Sequence, residues 1–195
     1  MPKFTFQTAD RLFWHDKIMA ATVLKLIPSW ILPYHVTMLR FLATPLVVVL
    51  MLKENYLWGL LAFLVVAFTD AVDGSLARIR NQITDWGKIY DPLADKILIG
   101  SMVFIIVLRY IDLWTAMLIM TIEIAIIAAG WIRKRHGLVI QANIWGKIKM
   151  LLQVLGVVML LLSIIFNIEQ ILPFAHGTFY LAIAFAVVSL LTYGI

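Results

Sequence analysis

Long apolar stretches separated by short polar segments dominate this chain. The six stretches lie at 35–53, 56–78, 90–109, 112–132, 144–166 and 175–193. Each has about 18 residues or more, which is enough for a helix to cross a bilayer. Because a lipid-exposed segment must satisfy its backbone hydrogen bonds internally, the pattern predicts six transmembrane helices.

The residues ahead of the first stretch follow an amphipathic pattern instead. Within 9–32, one helical face carries most of Leu12, Phe13, Ile18, Met19, Val23, Leu24 and Ile27. Arg11, Asp16 and Lys17 fall largely on the opposite face. This is typical of a helix lying in the membrane interface. We therefore predict an all-α polytopic membrane protein, with an N-terminal juxtamembrane segment over 1–33 and a six-helix transmembrane domain over 34–195.

Composition supports a membrane protein, and charge predicts its orientation. Hydrophobic residues make up 63% of the chain, whereas soluble domains are about half apolar. If the N-terminus lies in the cytoplasm, all but two of the 16 lysines and arginines fall on the inner side, the exceptions being Lys53 and Arg109. We therefore expect a prokaryotic inner membrane protein with both termini in the cytoplasm. The net charge of +5 then indicates anionic lipid rather than nucleic acid.

Four aspartates stand out, because charge in apolar surroundings is expensive and is usually kept for function. Asp70 and Asp73 are three residues apart near the inner end of the second span, so they share a helical face. Asp91 and Asp95 are four apart at the inner start of the third span and also share a face. A short loop makes these spans antiparallel neighbours. The spacing predicts that the four carboxylates meet just below the membrane surface.

Four carboxylates in one place repel one another unless they are protonated or bind cations. Their oxygen-only ligand set favours Mg²⁺ or Mn²⁺, and it suffices for two ions about 3.5–4 Å apart. Gly74 and Ala77 leave room for a ligand, and Arg78 offers a guanidinium that can bind a phosphate at two points. Plain loop-end acids are the alternative, but they explain one or two of the aspartates rather than two matched pairs.

These residues form a pattern of fixed spacing, D-x2-D-G-x2-A-R-x8-G-x3-D-x3-D. Its fixed positions are Asp70, Asp73, Gly74, Ala77, Arg78, Gly87, Asp91 and Asp95. The pattern resembles the signature of the CDP-alcohol phosphatidyltransferases, with every fixed residue and gap kept. The resemblance implies a membrane enzyme that transfers a phosphatidyl group from a CDP-linked lipid to an alcohol and releases CMP.

The resemblance also implies roles for single residues. Asp70, Asp73 and Asp91 would hold two divalent cations. Asp95 would contact one cation and act as the general base toward the acceptor hydroxyl. The implied nucleotide-binding residues are Tyr34, His35, Val36, Thr37, Gly74, Ala77, Arg78 and Thr84. The family resemblance implies a homodimer as well.

Short segments indicate which alcohol is the acceptor. Three of them are similar to the bacterial phosphatidylglycerophosphate synthases of this family: NQxT at 81–84, DPLADK at 91–96 and GKIK at 146–149. This implies CDP-diacylglycerol and glycerol 3-phosphate as substrates. A phosphorylated acceptor requires cations, and the candidate acceptor-phosphate residues are Lys147, Lys149, Arg133 and Arg135. Ordinary positive-inside charge is the alternative interpretation of these four residues.

Two alternatives stay open at this point. The long N-terminal segment is more similar to the phosphatidylinositol phosphate synthases of the same family, so inositol phosphate or another alcohol is the alternative acceptor. Acids within membranes also mark ion pathways, which makes a divalent-cation transporter a competing hypothesis. A transporter would place acids near the bilayer midplane, whereas these cluster at one face.

Two further charged residues lie inside predicted spans. Glu123 either orders a basic side chain at the site or pairs with another helix. Arg40 either faces the aspartates or extends to the lipid headgroups, and we favour the second because long basic side chains snorkel.

Overall fold

The described part of the chain consists almost entirely of helices. The computed structural model describes residues 14–28, 30–80, 82, 87–135 and 144–192. The α-helices in these ranges are α1 Trp14–Ala21, α2 Pro33–Leu52, α3 Tyr56–Ile79, α4 Gly87–Tyr110, α5 Leu113–Arg135, α6 Ile144–Phe166 and α7 Leu172–Thr192. Short 3₁₀ turns occupy Val23–Leu26 and Glu169–Ile171. No strand occurs in these ranges, so the predicted all-α fold is confirmed.

Five segments of the described chain are helical, long and apolar enough to cross a membrane. They are Pro33–Leu52, Tyr56–Ile79, Leu113–Gly130, Ile144–Phe166 and Glu169–Thr192. The remaining long helix, α4, coincides with the predicted third span but is more polar, because it carries Asp91, Asp95, Lys96 and Arg109. The fold is therefore that of an integral membrane protein, and the sixth span stays a prediction.

The chain divides into two compact units. The first comprises Met1–Val47 and Leu61–Leu98, and the second comprises Val48–Leu60 and Ile99–Ile195. All four aspartates of the sequence motif belong to the first unit.

Within the first unit, the N-terminal segment packs on α3. Met19 and Leu24 form a buried cluster with Val72 and Leu76. The amphipathic helix that the sequence predicts within 9–32, with Pro28 as its end, ends earlier, at Ala21. The reason lies in the residues that follow: Thr22 and Val23 are β-branched and favour helix weakly, and Pro28 stops any continuation.

In the second unit, α7 packs against both α5 and α6. The closest approach is at Gly156 of α6, where a β-carbon would lie 2.8 Å from Thr178 Oγ1 and 3.0 Å from Phe179 Cζ of α7. The Phe179 side chain is fully buried, and Thr178 is β-branched, so neither can move aside easily. Small residues that allow such close approach are typical of helix packing in membranes.

We predict that Gly156→Ala destabilises the protein by about 1–3 kcal/mol, because the added methyl group overpacks the α6–α7 contact. Thermal unfolding of the purified protein in detergent measures the effect. The matched control is Gly177→Ala on α7, where a β-carbon meets nothing within 4 Å. Equal melting temperatures for the two variants would show that α6 and α7 are not tightly packed at Gly156.

The connections of the second unit contain two left-handed residues and one capped helix start. Glu54 after α2 and Asn167 after α6 adopt left-handed backbone conformations, with φ of 61° and 54°. Asp112 begins α5 as its N-cap, since its carboxylate accepts hydrogen bonds from the backbone N–H and the hydroxyl of Thr115. These bonds hold the pKa of Asp112 below its usual value. Glu54 also pairs with Arg109 at the surface.

Candidate active site

Two acidic pairs lie at the ends of α3 and α4 in the first unit. Asp70 and Asp73 lie within the last turns of α3, three residues apart and therefore on one face. Asp91 and Asp95 lie in the first turns of α4 and are both partly buried. The Asp73 side chain is only 2% exposed, whereas that of Asp70 is 44% exposed. The site thus extends from a buried carboxylate to an accessible one.

A hydroxyl on α2 joins the two pairs. Thr37 Oγ1 lies 2.7 Å from Asp91 Oδ1, to which it donates a hydrogen bond, and 3.3 Å from Asp73 Oδ2. Thr37 itself has no exposed surface. The ends of α2, α3 and α4 therefore converge at this point, as the spacing of the aspartates predicts for α3 and α4.

Arg40 lies among the aspartates, so our preference for a snorkelling side chain is wrong. The residue has no exposed surface. Its Nη1 donates to Asp70 Oδ1 and its Nη2 donates to Asp73 Oδ2, both at 2.7 Å. Its Nε lies 3.4 Å from Thr69 Oγ1. Two carboxylates one turn apart bind a guanidinium more strongly than mobile lipid headgroups would, because α3 holds both carboxylates in place.

The donor set fits hard divalent cations. Asp70, Asp73 and Asp91 bring three carboxyl groups together against one guanidinium, and all their ligand atoms are oxygens. Among the described side chains, no three acids or histidines are already arranged as a metal site. Arg40 binds one carboxylate oxygen of Asp70 and one of Asp73, so a cation would share these two carboxylates with the arginine.

The predicted nucleotide-binding residues on α2 divide into two groups. Tyr34 and His35 are exposed, and their rings lie tilted by 38° with centroids 4.0 Å apart. Val36 and Thr37 are buried, and Thr37 contacts the aspartates. The structure thus brings Thr37, rather than the whole 34–37 segment, to the acidic cluster. Thr84 lies outside the described residues.

On α3, the predicted nucleotide-binding residues follow directly after Asp73. Gly74 lies beneath the guanidinium of Arg78, since a β-carbon at this position would lie 3.4 Å from Arg78 Nη1. Ala77 is partly buried, and its carbonyl accepts a hydrogen bond from the Gln82 backbone N–H at 2.9 Å, just beyond the end of α3. Small side chains at positions 74 and 77 keep this face of α3 open around the arginine.

Arg78 has a partner that the sequence pattern does not predict. Asp16 of α1 is fully buried and accepts hydrogen bonds from Arg78 Nε and Nη2, as well as from the Ser75 hydroxyl. The amphipathic pattern assigns Asp16 to a polar face, which indicates water rather than a partner on α3. No signal in the sequence identifies that partner, because the two residues are 62 positions apart.

Comparison with known proteins identifies the family of this chain. A family model described as CDP-alcohol phosphatidyltransferase matches residues 30–192, which include α2 to α7 and all four aspartates. The chain belongs to the CDP-alcohol phosphatidyltransferase family. It is therefore a phosphatidyltransferase of phospholipid biosynthesis, as the motif predicts.

Curated relatives of this phosphatidyltransferase agree with that assignment. The chain is 33% identical over 177 residues to the CDP-diacylglycerol–glycerol-3-phosphate 3-phosphatidyltransferase of Bacillus subtilis (strain 168), covering 81% of this chain and 90% of that protein. A protein of the same name from Mycoplasma pneumoniae is 25% identical over 197 residues, covering 85% and 84%. A cardiolipin synthase (CMP-forming) of Streptomyces coelicolor is 31% identical over 113 residues, covering 54% and 53%.

The predicted acceptor-phosphate residues of the phosphatidyltransferase lie in the second unit. Lys149 is buried and pairs with Glu123 of α5, which also accepts a hydrogen bond from Gln153 Nε2 at 2.9 Å. Of the two roles that the sequence left open for Glu123, pairing with another helix is confirmed, whereas ordering a basic side chain at the site stays a prediction. Lys147 is exposed, and the side chains of Arg133 and Arg135 lie outside what the structure describes.

Proposed function

We propose that this phosphatidyltransferase transfers the phosphatidyl group of CDP-diacylglycerol to glycerol 3-phosphate, giving phosphatidylglycerophosphate and CMP. The observation that carries the reaction is the convergence of Asp70, Asp73 and Asp91 on Thr37 and Arg40. The acceptor is supported by the names of two relatives that each align with more than four fifths of the chain. The segments NQxT, DPLADK and GKIK support the same acceptor.

We infer that Asp70, Asp73, Asp91 and Asp95 hold two divalent cations, Mg²⁺ or Mn²⁺. Arg40 engages only Oδ1 of Asp70 and Oδ2 of Asp73, so each carboxylate has a second oxygen with which to bind a cation. When bound, the cations would neutralise the diphosphate of the substrate and stabilise the charge that develops on CMP as it leaves. Arg40 partly offsets the cost of burying these carboxylates and holds Asp70 and Asp73 in place before the cations arrive.

The remaining residues of the motif bind the substrates and move one proton. Asp95 accepts the proton of the acceptor hydroxyl. As that proton leaves, the hydroxyl oxygen of the acceptor forms a bond to the lipid-side phosphorus. The bond between that phosphorus and the oxygen of CMP breaks in the same displacement. Gly74 allows the nucleotide to approach α3 closely, and Arg78 binds its phosphates. Thr84 is proposed as a further contact to the nucleotide. Positioning and charge supply most of the rate in such transfers.

The family membership and the charge pattern together support a topology. We propose that α4, the third helix in the predicted order, also crosses the membrane and brings the number of spans to six. The polar ends of α2, α3 and α4 would face the cytoplasm of a prokaryotic cell. Both termini would lie on the same side, with residues 1–33 along the membrane surface and 34–195 forming the catalytic membrane domain. We further propose that the enzyme is a homodimer, as the family resemblance implies.

Release of CMP tests this function. Purified protein is expected to release CMP from CDP-diacylglycerol when glycerol 3-phosphate and either Mg²⁺ or Mn²⁺ are present, and to lose activity in EDTA. Inositol phosphate, inositol and serine serve as alternative acceptors in the same assay. Activity with inositol phosphate alone would overturn the proposed acceptor, whereas no CMP release with any alcohol would overturn the reaction itself.

A further inference from the structure

A buried carboxylate from the N-terminal segment binds the arginine of the family motif. Asp16 Oδ2 accepts a hydrogen bond from Arg78 Nε at 2.9 Å, and its Oδ1 accepts one from Arg78 Nη2 at 2.7 Å. The Ser75 hydroxyl donates to Oδ1 at 2.7 Å. Two parallel bonds between a carboxylate and a guanidinium fix both the position and the plane of the guanidinium.

The guanidinium of Arg78 lies over Gly74. A β-carbon built at Gly74 would lie 3.4 Å from Arg78 Nη1 and 3.6 Å from Nη2. The side chain of Arg78 therefore folds back along one turn of α3, toward the glycine that follows Asp73. An arginine side chain has several rotatable bonds, and a fixed partner such as Asp16 selects one of its conformations.

Other contacts hold the N-terminal segment on α3 independently of this pairing. Arg80 donates from Nη2 to the carbonyl of Ile27 and from Nη1 to the carbonyl of Ile31, both at 2.8 Å. Met19 and Leu24 pack in a buried cluster with α3. Removing the charge of Asp16 should therefore leave the segment docked, so that the variant reports on Arg78 rather than on folding.

We propose that Asp16 is a positioning residue that aims Arg78 at the phosphates of the CDP-linked lipid. The inference rests on the proposed function, because Arg78 needs aiming only if the substrate carries a diphosphate beside Gly74. Asp16 lies outside the residues 30–192 that match the family model. The N-terminal segment of this chain would thus contribute to nucleotide binding from beyond the family's common region.

The test is the Asp16→Asn variant, assayed for CMP release at varied concentrations of each substrate. We expect the KM for CDP-diacylglycerol to rise about tenfold, because a misaimed Arg78 binds the diphosphate less well. The KM for glycerol 3-phosphate and kcat should change by less than about twofold, since the base and the acceptor contacts are untouched. A general folding defect would instead lower kcat and the melting temperature.

Two further variants make the test specific. Ser75→Ala removes only a neutral hydrogen bond to Asp16, so the KM for CDP-diacylglycerol should change by less than about threefold. Asp16→Glu retains the charge but places it one methylene further from α1, so it should raise the same KM even if Asp16→Asn folds poorly. In an Arg78→Gln background, Asp16→Asn should have almost no added effect, because the residue through which it acts is gone.

The outcomes separate this inference from the proposed function. An active wild-type enzyme with an unchanged KM for CDP-diacylglycerol in Asp16→Asn and Asp16→Glu would overturn the role of Asp16 alone. Equal effects of Asp16→Asn with and without Arg78 would also overturn it, since the two residues would then act separately. A wild-type protein that releases no CMP with any acceptor would overturn the proposed function and this inference with it.

Discussion

Asp95→Asn is expected to lower the rate of CMP release by about 10³-fold, within the range that general-base catalysis contributes. Asparagine keeps the size of the side chain but accepts no proton from the acceptor hydroxyl. Asp95 lies one turn after Asp91 on α4 and is partly buried, so the change should leave the helix intact. Binding of CMP, measured by calorimetry, should stay within about threefold of wild type, because Asp70, Asp73 and Asp91 still hold the cations that contact the nucleotide.

Asp112→Asn provides the matched control. It is the same chemical change in the second unit, at a helix N-cap where asparagine is as favourable as aspartate. We expect its turnover and melting temperature to match those of the wild type. If Asp95→Asn retained turnover like that of Asp112→Asn, Asp95 would not be the base.

The second large effect is expected at Arg40, where Arg40→Met should destabilise the protein by about 3–5 kcal/mol. The variant leaves the nearly inaccessible Asp73 carboxylate without its guanidinium, and an unpaired buried charge is costly. For a chain of this size the melting temperature should fall by about 10 °C. Thermal unfolding in detergent and EDTA measures this change without reference to activity.

Added Mg²⁺ or Mn²⁺ should raise the melting temperature of Arg40→Met more than that of the wild type. In the variant, a divalent cation supplies positive charge that the wild type already receives from Arg40, and binding to the folded state stabilises it. The control is Arg109→Met, which breaks an exposed pair with Glu54 and should cost less than about 1 kcal/mol. Equal stabilities of the two variants in EDTA would contradict the role of Arg40.

The sequence predicts the helices well because lipid requires a continuous apolar signal. The predicted span 144–166 coincides with α6, and the predicted span 56–78 differs from α3 by one residue. The predicted positions of helix ends are less accurate where they depend on local turn chemistry. α7 begins at Leu172 rather than at 175, because a 3₁₀ turn over Glu169–Ile171 leads directly into it.

In the candidate site, contacts between residues close in sequence are predictable, whereas contacts between residues far apart in sequence are not. Pairs such as Asp70 and Asp73 are predictable because helical periodicity alone places them on one face. The partners of Arg40 and Asp16 are not, because they lie 30 and 62 positions away along the chain. Periodicity assigns a face to a residue, but only the tertiary fold decides which helix covers that face. The pattern alone therefore assigns Asp16 to water and Arg40 to the headgroups, although each binds a charged partner.

The pair formed by Lys149 and Glu123 has a consequence for biogenesis. Glu123 lies at the middle of α5, where an unpaired charge in lipid costs about 2.5–3.5 kcal/mol during insertion, and Lys149 lies near the start of α6. Together with Gln153 they satisfy one another across two consecutive helices, α5 and α6. Entry of the two helices as one hairpin avoids exposing either charge to acyl chains. We therefore expect α5 and α6 to enter the bilayer together, after both segments have been synthesised.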